Sequence, residues 1–299
     1  MEMTMQTFAS FRDLIYEKSG IYFPENKKYV LDSRLASCLS EQNCATFEEY
    51  LALVKTDGWR HTELPSLFNA ITTNETFFFR DLPQLQAFNE FVLPSVLKEK
   101  QSTKRIKIWS AACSTGEEPY TLGILLLERF REWARPSERS SAETSLLRNA
   151  PGAGGQDLNG WKVEVAASDL SEATLASARE GCYDSYAMRR VPPTLAERYF
   201  TAKDGRHLVR PKLRRLVSFA NINLFDTARV KLMSGMDIIF CRNCLIYFDD
   251  KAKKRVLDSL YDCLNPNGYL VIGFSESLRN LTRAFRPISL NKTVVYQKI

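Results

Sequence analysis

The sequence predicts an α/β protein with an all-helical domain at its N-terminus. Residues 5–72 show only helical periodicities, whereas strand patterns alternate with helical patterns after residue 81. Alternation of this kind indicates βαβ units and a mostly parallel sheet. The length of 299 residues independently favours two domains. We therefore expect a helical domain over residues 1–82 and an α/β domain over residues 83–299.

Four helices are predicted in the first region. Gly20 is suited to end the first helix, and Pro24 to open the second. Residues 46–49 form a capping box, Thr-x-x-Glu, at the start of the third. The fourth fits residues 59–71, with an irregularity at Pro65 near its start.

The second region contains both kinds of element. Five strands are predicted, at residues 105–110, 161–166, 216–219, 236–240 and 269–272. Helices are predicted around Phe88 and at residues 117–133, 171–179 and 249–264, the last closed by a turn at residues 265–268. The tail through residues 293–296 fits an antiparallel pair at the edge of the sheet. The polar residues 136–160 predict a flexible insertion, and residues 182–215 a small appended subdomain.

Composition excludes several classes of protein. Apolar residues make up 44% of the chain, which rules out disorder throughout. The longest aliphatic run covers only residues 124–127, far short of the roughly 20 residues that a bilayer requires. The first residues have no export-signal pattern, and the seven cysteines are irregularly spaced. We expect a cytoplasmic protein with reduced thiols. Because His61 and His207 are its only histidines, we expect no metal.

The net charge of +6 is unevenly distributed along the chain. Residues 1–75 carry a net charge of −4, whereas residues 189–215 contain nine basic and two acidic side chains. A cluster of this kind fits an acidic partner, or it is simply a solvated basic surface.

Polar residues follow four successive predicted strands, where open parallel sheets bind their ligands. After the first come small residues 110–116 and then Glu117 and Glu118; a tight turn accounts for the small residues alone. Asp169 follows the second strand and fits either a ribose acceptor or a helix cap. Asn223 follows the third strand, and the sequence Cys-Arg-Asn-Cys at residues 241–244 follows the fourth.

Two short motifs have competing interpretations. Cys241 and Cys244 form a CxxC pair, which serves redox chemistry or half a zinc site in some proteins; buried free thiols are the favoured interpretation because no second pair exists. Three aromatic residues at the junction of the two regions precede Arg80. Core packing explains some of these rings but not Arg80, unless that side chain pairs with Asp81.

Five motifs in this order make the family recognisable. They are Asn74-x-Thr76-x-Phe78-Phe79-Arg80, Ser110-Ala-Ala-x-Ser-Thr-Gly-Glu-Glu-Pro-Tyr120, Ala167-Ser-Asp169, Asn223-Leu224 and Phe240-Cys-Arg-Asn-x-x-Ile-Tyr-Phe248. The chain resembles the CheR family, the S-adenosylmethionine-dependent methyltransferases of bacterial chemotaxis receptors. The segment at residues 273–277 also fits this family.

The resemblance implies a Rossmann-like (class I) methyltransferase domain with an inserted antiparallel β-subdomain at about residues 182–215. It implies that receptor glutamates become γ-methyl esters and that the cofactor leaves as S-adenosylhomocysteine. It places Arg80 and Tyr247 nearest the transferred methyl group, as catalytic residues. It assigns these residues to the cofactor site: Asn74, Thr76, Arg80, Glu118, Asp169, Asn223, Leu224, Cys241, Arg242 and Asn243.

The resemblance also names the partners, which are the cytoplasmic helical domains of chemoreceptors. Residues 200–208 are short where some members carry a longer loop that grips a tethering receptor-tail peptide, so we expect no need for a tether. A nucleic-acid methyltransferase is one alternative, although residues 241–244 lack the Asn/Asp-Pro-Pro-aromatic motif usual in amino-methylating members of that class. A non-catalytic, cofactor-sensing adaptor is the other, and the presence of Arg80 and Tyr247 speaks against it.

Overall fold

The computed structural model describes the backbone of residues 2–56, 60–134, 160–290 and 292–299. The predicted insertion at residues 136–160 lies outside these ranges, except for Gly160. The four predicted N-terminal helices are confirmed as α1 Met5–Ser19, α2 Lys28–Glu41, α3 Phe47–Lys55 and α4 Arg60–Ile71. Pro65 lies inside α4.

Local chemistry sets the ends of these helices. The hydroxyl of Thr4 accepts a hydrogen bond from the first turn of α1, and Gly20 ends this helix with φ +74°, a left-handed value that glycine adopts without strain. Both residues of the predicted capping box cap α3, although the Glu49 carboxylate binds the residue before Thr46 rather than Thr46 itself. The Thr46 hydroxyl accepts from the Glu49 N–H at 3.1 Å, and the Glu49 carboxylate accepts from the Ala45 N–H at 2.7 Å.

The α/β region contains a seven-stranded sheet and a separate three-stranded sheet. The strands in chain order are β1 Arg105–Ala111, β2 Lys162–Asp169, β3 Cys182–Tyr183, β4 Phe200–Lys203, β5 Arg206–Val209, β6 Val217–Asn221, β7 Met236–Cys241, β8 Leu264–Ile272, β9 Phe285–Leu290 and β10 Thr293–Lys298. The large sheet has the order β6-β2-β1-β7-β8-β10-β9. Its first five strands are parallel, and β10 and β9 form the predicted antiparallel edge pair.

Helices connect these strands and cover the sheet. They are α5 Leu82–Ala87, α6 Leu93–Glu99, α7 Glu117–Ala134, α8 Glu172–Glu180, α9 Ser185–Met188, α10 Pro193–Tyr199, α11 Pro211–Arg214, α12 Thr227–Val230 and α13 Asp250–Cys263. A π-helical turn, Phe88–Val92, joins α5 to α6. Pro94 has no N–H to continue a regular ladder there, and Leu93 donates instead to Phe88, five residues back.

The expected small subdomain is the antiparallel sheet β3-β5-β4 with its flanking helices. Only Asp204 and Gly205 join β4 to β5, with φ values of 49° and 73°. Left-handed values at both central residues are typical of a tight two-residue hairpin turn. The connection in this subdomain is therefore as short as an antiparallel hairpin allows.

The last predicted helix closes as expected, because α13 ends at Cys263. The predicted turn residues 265–268 lie within β8 but form a bulge, since Met236 pairs with Leu264 whereas Ile238 pairs with Tyr269. The Asn265 amide donates to the Gly235 carbonyl at 3.1 Å and to the Asp237 carboxylate at 2.7 Å. These side-chain bonds keep the segment beside β7 although Pro266 interrupts the backbone ladder. The turn-forming residues therefore keep a turn-like bulge, in which Asn267 has a φ of 61°.

The core lies on both faces of the large sheet. Along β7, Ile238 and Phe240 point to one face, whereas Ile239 and Cys241 point to the other. One face packs against α5, α6 and α7. The opposite face packs against α13 and continues into the N-terminal helices, so the helical region shares its core with the sheet. The exact boundary between residues 82 and 83 stays a prediction.

We expect Gly20→Ala to lower the free energy of unfolding more than Gly205→Ala does. The two glycines have matching φ values of 74° and 73°, and left-handed alanine costs about 1 kcal/mol at either. A Cβ on Gly20 would lie 2.5 Å from the Phe225 ring, which the Arg255 guanidinium covers at 4.1 Å; Gly205 has nothing within 4 Å. Overpacking should add about 1–3 kcal/mol at Gly20. Urea denaturation measures both variants, and equal losses would contradict this packing account.

Candidate active site

A cleft opens where the carboxyl ends of β6, β2, β1 and β7 meet the segment that follows α4. It has two adjoining chambers with about 540 and 690 Å³ of open space, and Thr73, Ala112, Ser114 and Asn243 line both. The first chamber is also bordered by Thr76, Phe77, Arg80, Glu118 and Arg242. The second is also bordered by Ile21, Asn74, Asp169, Leu170, Ile222, Asn223, Leu224 and Tyr247.

Asp169 is the last residue of β2 and lines the second chamber. Its carboxylate connects the loop after β1 with the residues that follow β2. Its two carboxylate oxygens accept hydrogen bonds from the Ser171 N–H at 2.9 Å and the Ser114 N–H at 2.8 Å. Burial raises the pKa of this carboxyl, and the backbone N–H groups oppose that rise. Ser171, rather than Asp169, caps α8. Asp169 therefore anchors the loop after β1 and still lines the cleft.

The backbone around the cleft is unusually strained. Five of its non-glycine residues have left-handed φ values between 50° and 62°: Phe79, Asp81, Ala112, Ser114 and Asn243. Each such residue costs on the order of 1 kcal/mol or more, and such strain concentrates at functional sites. Gly116, in the small-residue loop, instead faces α8, since a Cβ there would lie 2.9 Å from Ala178 and from the Tyr183 hydroxyl.

Arg242 forms hydrogen bonds with four residues around the first chamber. Its side chain is only 3% exposed. The guanidinium donates to the Gln84 amide oxygen at 2.6 Å, to the Glu118 carboxylate at 2.9 Å and to the Asp81 carboxylate at 2.7 Å. It also donates to the Arg80 carbonyl at 3.1 Å. The guanidinium is thus committed to protein partners, and its predicted place at the cofactor stays a prediction.

Arg80 borders the first chamber and is itself half-buried. Asp81 pairs with Arg242, so a simple ion pair between the neighbours Arg80 and Asp81 does not describe the fold. The Arg80 guanidinium donates to the Glu75 carbonyl at 2.6 Å and lies 5.9 Å from the Phe77 ring. Its position therefore needs an explanation other than a local ion pair.

The helical region closes the second chamber. The Asn223 amide donates to the carbonyl of Lys18, near the end of α1, at 2.6 Å. The Tyr22 N–H donates to the Tyr247 carbonyl at 2.9 Å. These bonds seat the residues after α1 against the strand ends, and Tyr247 and Leu224 lie in the wall that results. The cleft is therefore built from both regions of the chain.

Glu276 is a site residue that sequence reasoning missed, although its segment fits the family pattern. Its carboxylate accepts from the N–H groups of Gly273 at 2.6 Å, Asn243 at 3.1 Å and Ile246 at 3.2 Å. Burial raises the pKa of this carboxyl. Glu276 thus fixes the loop that carries Asn243 and Tyr247. A sequence pattern does not predict this role, because the partners of the Glu276 carboxylate are backbone N–H groups.

Cys241 is the one predicted site residue that does not border either chamber in the described part of the chain. Its thiol is fully buried, and the hydrogen bond with Cys244 raises its pKa, with burial as the second cause. Both thiols are free. The other predicted residues, from Asn74 to Tyr247, all border the cleft, and their individual roles stay predictions.

Neither a metal cluster nor a membrane-spanning helix occurs among the described residues. They contain no group of three or more His, Cys, Asp or Glu side chains arranged to hold a metal ion. Within the same ranges, every helix is too short or too polar to cross a bilayer.

Comparison with known proteins agrees with this architecture. Residues 6–72 match the family model "CheR methyltransferase, all-alpha domain", and residues 74–138 and 153–294 match "CheR methyltransferase, SAM binding domain". Chemotaxis protein methyltransferase 2 of Vibrio cholerae is 32% identical over 99% of this chain and 94% of its own length. Chemotaxis protein methyltransferase 1 of Pseudomonas aeruginosa is 34% identical over 97% of each chain. The chain therefore belongs to the CheR family of S-adenosylmethionine-dependent chemotaxis methyltransferases.

Proposed function

We propose that this protein transfers the methyl group of S-adenosylmethionine to glutamate side chains in the cytoplasmic helical domains of bacterial chemoreceptors. The products are γ-methyl esters and S-adenosylhomocysteine, and the reaction takes place in the cytoplasm. One observation carries the proposal: Arg80 and Tyr247 border adjoining chambers of a single cleft, which is built by the strand ends and the helical region.

The residues of the second chamber suit the cofactor. The Asp169 carboxylate faces this chamber and has further lone pairs to accept ribose hydroxyls. Leu170, Ile222 and Leu224 supply apolar walls suited to an adenine ring. When bound, S-adenosylmethionine supplies a methyl group on a positively charged sulfur.

The reaction requires no general base from the protein. A glutamate has a reference pKa near 4.3 and is already an anion at neutral pH. The enzyme must instead align the carboxylate and exclude water, and such positioning is worth roughly 7–11 kcal/mol in favourable cases. A chain with two histidines can meet this requirement.

Arg80 and Tyr247 supply the alignment. The planar Arg80 guanidinium holds one oxygen of the acceptor carboxylate and leaves the other free to attack. Tyr247 donates a hydrogen bond or limits the direction of approach. Orientation is the main contribution of Arg80, since an oxygen that is tightly paired is a poorer nucleophile.

Arg242 acts as a positioning residue behind Arg80. Its guanidinium holds the Arg80 carbonyl and the Glu118 carboxylate. The other oxygen of Glu118 accepts from the Ser110 hydroxyl at 2.6 Å, which ties this carboxylate to β1 as well. The segment that carries Arg80 is therefore fastened to two strand ends.

The short β4–β5 turn supports methylation without a receptor-tail tether. Asp204 and Gly205 alone connect the two strands. A longer loop in this subdomain would be needed to grip a peptide in the manner of the tether-dependent members. The enzyme therefore finds its substrate through the helical receptor domain itself.

Asp169→Asn should raise the dissociation constant of S-adenosylmethionine about tenfold or more, because hydrogen bonds to charged groups contribute about 1.5–3 kcal/mol. Asp226→Asn is a matched control. The Asp226 carboxylate also accepts from two backbone N–H groups, of Ala228 and Arg229, but it caps α12. Calorimetric titration should find the cofactor affinity of the control unchanged. Equal affinities in the two variants would contradict the role given to Asp169.

Arg80→Ala should reduce kcat for receptor methylation about a hundredfold or more, as loss of a key positioned donor typically does. Circular dichroism should show that the fold survives. Arg206→Ala is the control, because the Arg206 guanidinium likewise donates to a backbone carbonyl, that of Cys182 at 2.9 Å. A labelled-methyl assay measures both variants, and near-normal turnover by Arg80→Ala would refute the assignment.

Receptor fragments with and without the C-terminal tail should be methylated with the same kcat/KM. A functional tether raises the effective concentration of its partner and would improve methylation about a hundredfold or more. Titration of the isolated tail peptide into the enzyme should give no saturable binding. Tight peptide binding, or a strong advantage for the tailed fragment, would show that a tether is used.

A further inference from the structure

Three guanidinium groups gather around one aromatic ring at the edge of the first chamber. The Phe77 ring centre lies 3.5 Å from Arg189, 5.1 Å from Arg190 and 5.9 Å from Arg80. Arg189 also lies 3.7 Å from the ring centre of Tyr186, so two rings enclose its charged group. Phe77 and Arg80 both line the chamber, and the two additional arginines therefore stand beside the route to Arg80.

These three charges are not neutralised by ion pairs. Across the described ranges, no carboxylate lies within 4.0 Å of any of the three guanidiniums. Two nearby acids are engaged elsewhere, since Asp81 pairs with Arg242 and Asp184 caps α9. The Glu75 carboxylate lies beside the cluster and accepts from the Tyr186 hydroxyl at 3.1 Å, but it forms no ion pair with the three guanidiniums. A cluster of like charges beside a cleft attracts anions.

The cluster is held in place before any substrate arrives. The Arg189 guanidinium donates to the Tyr186 carbonyl at 2.6 Å, and the Phe78 N–H donates to the Ala187 carbonyl at 3.1 Å. The Phe78 ring is buried edge-on against Tyr183 and Phe200 of the β-subdomain. Such contacts fix α9 and the arginines after it to the segment that carries Arg80.

We propose that Arg189 and Arg190 determine specificity by binding carboxylates that flank the methyl-accepting glutamate on the receptor helix. The inference rests on the proposed function, and it adds the substrate feature that this surface selects. Acidic side chains three or four residues from the acceptor lie about 5–6 Å from it on a helix. When the acceptor reaches Arg80, such side chains come to the two arginines beside Phe77.

The test uses two helical receptor fragments that share one methylatable glutamate. One fragment has aspartates four residues before and after the acceptor, which are acidic but are not glutamates, and the other has asparagines there. The wild-type enzyme should show a lower KM for the aspartate fragment. Arg189→Gln and Arg190→Gln should each raise that KM about fivefold. This change corresponds to the loss of one exposed ion pair, which contributes about 1 kcal/mol.

The KM for the asparagine fragment should not change in these variants, and neither should kcat or the affinity for S-adenosylmethionine. Arg215→Gln removes one charge from the same basic segment at an exposed position outside the cleft lining, and it should behave as wild type. Equal KM changes for both fragments, or no change, would overturn this inference alone. Failure of the wild-type enzyme to methylate either fragment would overturn the proposed function, and the inference with it.

Discussion

The cleft at the carboxyl ends of the parallel strands depends on one buried cation, the guanidinium of Arg242. It joins a strand end to the start of α7 through Glu118 and to the junction segment through Asp81 and the Arg80 carbonyl. Breaking a buried pair leaves an uncompensated charge, which costs about 3–5 kcal/mol. The residue that lies nearest the reaction in our proposal is therefore held by a residue that need not touch the substrate.

The same end of the molecule is closed by the helical region. Hydrogen bonds from Tyr22 and to Lys18 seat the residues after α1 on the strand ends, and the shared core continues beneath them. Left-handed residues such as Ala112 and Asn243 are stable because packed elements surround them. Such close packing fits a reaction whose rate depends on alignment and on exclusion of water.

Much of the fold could be predicted from the sequence, because patterns of neighbouring residues determine most of its helices and strands. Hydrophobic periodicity located the helices and parallel strands, and polar residues at strand ends located the cleft. The role of Arg242 could not be predicted, since its partners come from residue 118 and from residues 80–84, which are distant in sequence. Glu276 was missed because its partners are backbone N–H groups. The start of β8 at Leu264 was missed because residues 265–268 bulge away from β7, and regular pairing resumes only at Tyr269.

The central claim is that this cleft orients an already ionised glutamate for esterification. The most direct test is transfer of labelled methyl from S-adenosylmethionine to receptor fragments, with the modified residue mapped by mass spectrometry. The account predicts label on glutamate side chains that mild base releases as methanol, as expected of a methyl ester. Base-stable label on nitrogen, or label in nucleic acid instead of the receptor, would contradict it.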